Sequence, residues 1–289
     1  RSHGEVGAIP GALLRRYELL RDLLRRSVAA RAEQCSREEC ARHPACPFGR
    51  RRAALGKAHL IVANHDLLLR WPPDYPPYTH TIVDEVHELS GVADEVYASV
   101  VRPDEVLERI DEIFGRSGAK VSSEGLISRR WREQVDTEVA AWRHEIEEAL
   151  AETGRQVAGA ASDYGEVHLG EDASERFSDA AALADTAAQR IDEIAQTAVR
   201  LDGKMRQEKA DEGEEDEGES AIARYAADLE AAAHDLRRAF VASAHDAVAA
   251  FESLTPPYDH WRLVIRAVSP AEVFHEHFMQ RLESFAGVS

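Results

Sequence analysis

The sequence predicts an α/β domain interrupted by a large, mostly α-helical insertion, with a cysteine-bearing segment on its N-terminal side. Three observations carry this. A hydrophobic run ends in the acidic motif Thr81-Ile82-Val83-Asp84-Glu85-Val86-His87, the form of a strand that delivers carboxylates to its C-terminal end. Apolar residues then recur at helical spacing over much of 96–256. A short apolar segment at 262–268 and a helical one at 270–285 bring back the α/β pattern.

Residues 10–33 predict an amphipathic helix, because Leu13, Leu14, Tyr17, Leu20, Leu24 and Val28 recur at steps of three to four while Arg15, Arg16, Arg21, Arg25 and Arg26 face elsewhere. Residues 34–49 hold few apolar anchors, with Pro44, Pro47 and Gly49 among the cysteines, so a metal or cluster would supply the constraint a core cannot. A short helix follows at 50–57 and a strand at 59–63. The connection Trp71-Pro72-Pro73-Asp74-Tyr75-Pro76-Pro77 is incompatible with helix or sheet. A strand at 79–83 then leads into the acidic motif.

Past about residue 96 the pattern is that of long helices. Trp131, Val135, Val139, Trp142, Ile146 and Leu150 form one stripe, and Ile222, Tyr225, Leu229, Leu236, Phe240, Val248 and Phe251 form another. Such stripes are bundle core rather than a cofactor site. An Ala-rich stretch at 154–201 also reads as helix, and the acidic, low-complexity tract 208–219 as a loop between helices. The expected organisation is a cysteine segment at 1–57, an α/β part at 58–95, the helical insertion at 96–256 and the return to α/β at 257–289.

The chain has 289 residues, 44% hydrophobic and 30% charged, ample for one large or two modest domains. Its apolar runs are too short to span a membrane and no leader peptide opens it, which predicts a cytoplasmic protein with no membrane partner. It begins at Arg1, as a processed, tagged or truncated product would. The net charge of −18 is unevenly spread: residues 1–70 hold 14 Lys and Arg against 7 Asp and Glu, leaving 21 against 46 in the rest. The basic part coincides with the cysteines and suits either a phosphate backbone or a solvated helix face.

Two constellations bear chemistry. In the acidic motif, the shape of a Walker B strand end, Asp84 would hold Mg²⁺ and Glu85 would polarise the attacking water, with His87 coupling the nucleotide state to neighbouring motifs. An acidic cluster at a helix start would look similar. The second constellation is Cys35-x4-Cys40-x5-Cys46. An odd number within twelve residues argues against disulfides. Thiolates at this spacing suit zinc, with His43 completing a Cys3His set, or an iron–sulfur cluster whose fourth ligand lies outside the chain.

Together the motifs resemble the DinG branch of the XPD-like superfamily 2 helicases. The run from Cys35 to Arg50 is similar to that family's cluster segment. The stretch Ala58-His59-Leu60-Ile61-Val62-Ala63-Asn64-His65-Asp66-Leu67-Leu68-Leu69 resembles its Asn-His motif. Ile82 to Leu89 resembles its DEAH box, with Val86 in place of the usual Ala. The resemblance covers residues 35–89 in motif order, and the rest in outline.

It implies a partial RecA-like motor domain at 58–95 and 257–289, an arch domain at 96–256, a [4Fe–4S] cluster on Cys35, Cys40 and Cys46, and ATP with Mg²⁺ as cofactors. The family's first cluster cysteine, its Walker A loop and its second motor domain have no counterpart in the chain. The resemblance therefore implies an internal fragment of a monomeric bacterial, nucleoid-associated DNA-repair helicase. Such a protein moves 5′→3′ on single-stranded DNA and unwinds fork or duplex DNA, whereas the fragment alone would be inactive. Arg50, Arg51, Arg52 and Lys57 would contact phosphates, and Phe48 or Trp71 would stack on bases. Asn64 and His65 match a family motif, either packing near the DNA path or capping a strand. The competing expectation is a non-enzymatic, zinc-stapled helical adaptor.

Overall fold

The computed structural model describes residues 46–72, 75–115, 125–211, 220–241, 247–256, 258 and 260–289. The expected helix at 10–33, the first two cysteines and most of the acidic tract lie outside them. The described chain is mixed helix and sheet and divides into two compact units, one formed by the described residues up to 86 together with 281–289 and the other by those from 87 to 280.

In the first unit, helix α1 (Pro47–Leu55) and helix α2 (His65–Leu69) precede strand β1 (His80–Val83). Strand β1 pairs in parallel with the last strand, β6 (Ser284–Gly287), in the register His80↔Ser284 to Val83↔Gly287. Two strands some two hundred residues apart thus close one small sheet around an inserted unit. Its entry is fixed where Glu283 and Ser284 N–H groups donate to the Thr79 carbonyl, at 2.7 and 3.1 Å. Its exit is fixed where Val288 N–H donates to Val83 O (2.8 Å) and Val86 N–H to Val288 O (3.0 Å).

Gly287 belongs to this closure, since a Cβ there would sit 3.0 Å from both Val86 methyls. Gly287→Ala is therefore expected to cost about 1 kcal/mol by overpacking. Val86→Ala, made in the same chain, should recover most of it. Chemical denaturation of the two single variants and the double variant measures that coupling.

Two expectations fail here. Residues 59–63 form no strand: Ile61 and Ala63 are half-buried while Leu60 and Val62 are 83% and 91% exposed, so the alternation is present without a ladder partner among the described residues. The helix expected to run to 285 is only Ala271–His277, and Ser284–Gly287 is strand because β1 offers it a partner.

The second unit begins with helix α3 (Leu89–Val96), strand β2 (Ser99–Val101) and helix α4 (Pro103–Phe114). Helices α5 (Arg129–Arg132) and α6 (Asp136–Ala158), strand β3 (Val167–Leu169), helices α7 (Ala173–Arg176), α8 (Ser178–Asp211) and α9 (Ala221–Ala239), strands β4 (Ala247–Glu252) and β5 (Arg262–Ala267) and helix α10 (Ala271–His277) follow. The four strands make an antiparallel sheet in the order β2-β5-β4-β3.

Helix α8, about 50 Å long at 1.5 Å per residue, packs against both α6 and α9. Its inner face is mostly small: Ala180, Ala184, Ala187, Ala188, Ala195 and Ala198 are buried, interleaved with Ile191, Ile194 and Leu201. Ala at these positions lets three helices approach closely at little cost in side-chain entropy. On α6, Arg143 holds the buried Asp111 of α4 through two hydrogen bonds, 2.7 and 3.1 Å. Burial pulls the Arg143 pKa down, but those bonds and the charges of Asp111 and Glu147 outweigh it and leave it raised.

Trp261 ties sheet to helices: it is 1% exposed, meets Phe251 edge-on at 4.9 Å and donates from Nε1 to Leu150 O at 3.1 Å. Gly154, one turn along α6 from Leu150, leaves the space the indole fills, because a Cβ there would be 2.5 Å from Trp261 Cδ1.

The insertion is thus less purely helical than expected. Val248 and Phe251 lie on β4 rather than on a long helix, and β3 interrupts the Ala-rich stretch. Trp131 sits on α5 and Val135 at the N-cap of α6, so the first stripe is broken between them. The strand expected at 262–268 forms, but it pairs antiparallel with β2 and β4 inside the second unit.

Asp235 on α9 accepts a hydrogen bond from the Ser99 hydroxyl of β2. Its pKa is raised chiefly by burial, against the pull of that bond, His234 and Arg238. Because the folded chain holds this proton more tightly than the unfolded one, the stability it confers is complete below the unfolded pKa. It is lost as pH rises through the folded value. Asp235→Asn should therefore raise Tm at pH 7 and leave it nearly unchanged near pH 3, as calorimetry at the two pH values would register.

Candidate functional site

The acidic motif stands where the sequence places it, at the C-terminal end of β1. Val83 is buried, and Asp84 and Glu85 emerge exposed immediately after it. Glu85 has φ 50, the left-handed region that a residue with a Cβ adopts at a cost of roughly 1 kcal/mol or more. The turn is held from three directions. Glu85 N–H donates to Asp84 Oδ1 at 3.1 Å. The Asp84 carbonyl accepts from His65 Nε2 at 2.9 Å, so the His65 ring carries its proton on that nitrogen. The Val86 amide is fastened to Val288. Strain persists where surrounding bonds over-determine it, and these bonds do so.

The Asn-His motif supplies one of them. Asn64 is the N-cap of α2, its Oδ1 accepting from Leu67 N–H at 2.9 Å, and this cap sets the helix that presents His65 to Asp84. Asn64 caps a helix, not a strand, and His65 belongs to the acidic turn. Neither link is visible in the sequence, although both residues stand out there as a motif.

His87 follows in a 3-10 turn, Val86–Glu88, and is exposed. Asp84 presents a hard carboxylate oxygen of the kind Mg²⁺ takes, with Oδ1 oriented by the Glu85 amide. Adjacent carboxylates on a rigid turn can hold a cation with one and orient a water with the other.

Cys46 is half-buried at the N-cap of α1, with Pro47 at the first helical position. Cys35, Cys40 and His43 lie outside the described residues, among which no three metal-binding side chains converge.

Arg50 and Arg51 are exposed and Arg52 is half-buried on α1, with Lys57 exposed just beyond it. Successive helical residues turn by 100°, so the three arginines fan around the helix rather than forming one stripe. Phe48 also belongs to α1. Trp71 is engaged locally. Its Nε1 donates to Pro76 O at 3.1 Å, and Tyr75 and Tyr78 meet its ring edge-on at 5.3 and 4.9 Å, folding the proline-rich connection.

No family model matches the chain, and no curated protein is significantly similar to it.

Proposed function

We propose that this chain is the cluster segment, DEAH-type turn and arch of an ATP-dependent 5′→3′ DNA helicase, resembling the DinG branch of the XPD-like superfamily. The observation that carries the reading is the Asp84–Glu85 turn. Two carboxylates follow a parallel strand directly, the second at positive φ, in a turn whose Asp84 carbonyl accepts a bond from His65 of the neighbouring motif. The small parallel sheet also supports it. Parallel strands are normally covered on both faces, yet Ile82 is 78% exposed and Phe285 and Val288 are also exposed, as expected of one part of a larger sheet.

In the complete polypeptide ATP and Mg²⁺ supply the phosphoryl chemistry. Asp84 would hold the cation, Glu85 would orient the attacking water and take its proton, and His87 would relay the nucleotide state. Cys35, Cys40 and Cys46 would be thiolate ligands of a [4Fe–4S] cluster, which supplies the constraint the proline-rich segment lacks.

The test is ATP turnover by the polypeptide expressed with the coding region upstream of Arg1. Hydrolysis should be stimulated several-fold or more by single-stranded DNA. Stoichiometric zinc with no DNA-dependent turnover would instead assign the adaptor.

A further inference from the structure

Three successive peptide planes build the Asp84–Glu85 turn, and they are not held alike. The Val83 carbonyl, in the plane before Asp84, accepts from Val288 N–H at 2.8 Å. The Val86 N–H, in the plane after Glu85, donates to Val288 O at 3.0 Å. Both outer planes are thus clamped by the backbone of one residue just past β6. The middle plane, which joins Asp84 to Glu85, is held by side chains. Its carbonyl accepts from His65 Nε2 at 2.9 Å, and its N–H donates to Asp84 Oδ1 at 3.1 Å.

The orientation of this middle plane sets the φ of Glu85, which is 50. A residue with a Cβ is strained there. Turning the plane over between its two clamped neighbours would return Glu85 to negative φ. The same motion would carry the Asp84 carbonyl away from His65 and the Glu85 N–H away from Asp84 Oδ1. The strain and the net worth of one hydrogen bond are of similar size, so neither bond is surplus. One of the two comes from the carboxylate that would hold the cation. The His65 bond is the hold that lies outside it.

His65 is firmly placed for this. It is half-buried, opens α2 directly after the Asn64 cap, and stands one turn before the buried Leu69. The Tyr78 hydroxyl, two residues ahead of β1, donates to Leu68 O at 3.3 Å and fastens α2 to the chain entering that strand. A five-residue helix could not hold the ring in place unaided; these contacts do.

The geometry points to His65 as a positioning residue for ATP hydrolysis. By donating to the Asp84 carbonyl, it keeps the 84–85 peptide, and with it Glu85, in the orientation the reaction uses. It acts through the backbone of Asp84 and not on the substrate. For its catalytic consequence the inference rests on the proposed ATPase function; its geometry lies within the first unit alone.

The test has a kinetic and a spectroscopic arm. In the polypeptide that includes the region upstream of Arg1, His65→Leu should lower DNA-stimulated kcat by about tenfold, the upper range for one neutral hydrogen bond. The KM for ATP should change little. His65→Asn, whose amide stops short of the carbonyl, should lose as much. His65→Gln sets an amide N–H near the place of Nε2 and should recover most of the rate. A role in packing alone would not rank the two amides by reach. NMR of the 289-residue chain reads the plane itself, because positive φ brings the Glu85 amide proton close to its own Hα. The strong NOE between them should appear in the unmodified chain and in His65→Gln, and weaken in His65→Leu and His65→Asn. Unchanged kcat in His65→Leu, equal rates for the Gln and Asn variants, or an NOE indifferent to the substitutions would overturn the proposal. Absence of ATP turnover in the unmodified polypeptide would overturn the helicase reading and the catalytic role with it, while the NOE series would still tell whether His65 sets the turn.

Discussion

Glu85→Gln in the complete polypeptide is expected to reduce DNA-stimulated ATP turnover by at least about 100-fold, the lower range for loss of a general base, while nucleotide binding survives. The substitution keeps the length and the backbone demand of the side chain, and removes only its charge and basicity. Because Glu85 sits at φ 50 in a turn held by His65, Asp84 and Val288, the amide should occupy the carboxylate's place. The defect should therefore appear in kcat, with the KM for ATP little changed. Steady-state kinetics and nucleotide-binding titration separate the two. Turnover near that of the unmodified protein would remove Glu85 from the chemistry.

Trp261→Ala should have the largest effect on folding, about 3–5 kcal/mol. The indole is buried against Phe251, donates to Leu150 O and fills the space that Gly154 leaves open, so truncation removes packing and a buried bond together. For a unit of this size the loss corresponds to a fall in Tm on the order of 10 °C, readable by calorimetry. Trp261→Phe should cost less, because it keeps an aromatic ring against Phe251 and loses the hydrogen bond. If the two variants melted alike, the cavity would not be the main source of the loss.

Local chemistry makes the acidic turn legible in the sequence. An apolar run ending in Asp84-Glu85 can be read without knowing its neighbours, and β1 forms almost where that run predicts. Partners distant in sequence decide the parts that differ from expectation. Ser284–Gly287 shows no strand pattern of its own, with every residue exposed, and becomes β6 only because β1 pairs with it. Ala247-Val248-Ala249-Ala250 is rich in the best helix former, yet it is a strand because β3 and β5 flank it. Residues 59–63 have a strand's alternation and no partner among the described residues, so the pattern is there and the ladder is not.

The site divides in the same way. Asp84, Glu85, Asn64 and His65 can each be singled out as motif residues. The positive φ of Glu85 and the bond that carries His65 to the Asp84 carbonyl are tertiary facts.

The most direct measurement is strand separation by the polypeptide that includes the region upstream of Arg1, purified anaerobically and given ATP and Mg²⁺. Two forked substrates, one with only a 5′ single-stranded tail and one with only a 3′ tail, are compared. The proposed function predicts unwinding of the 5′-tailed substrate, dependent on ATP and lost with Glu85→Gln. Failure to unwind either substrate, with a protein that is folded and loaded with its metal, would contradict it.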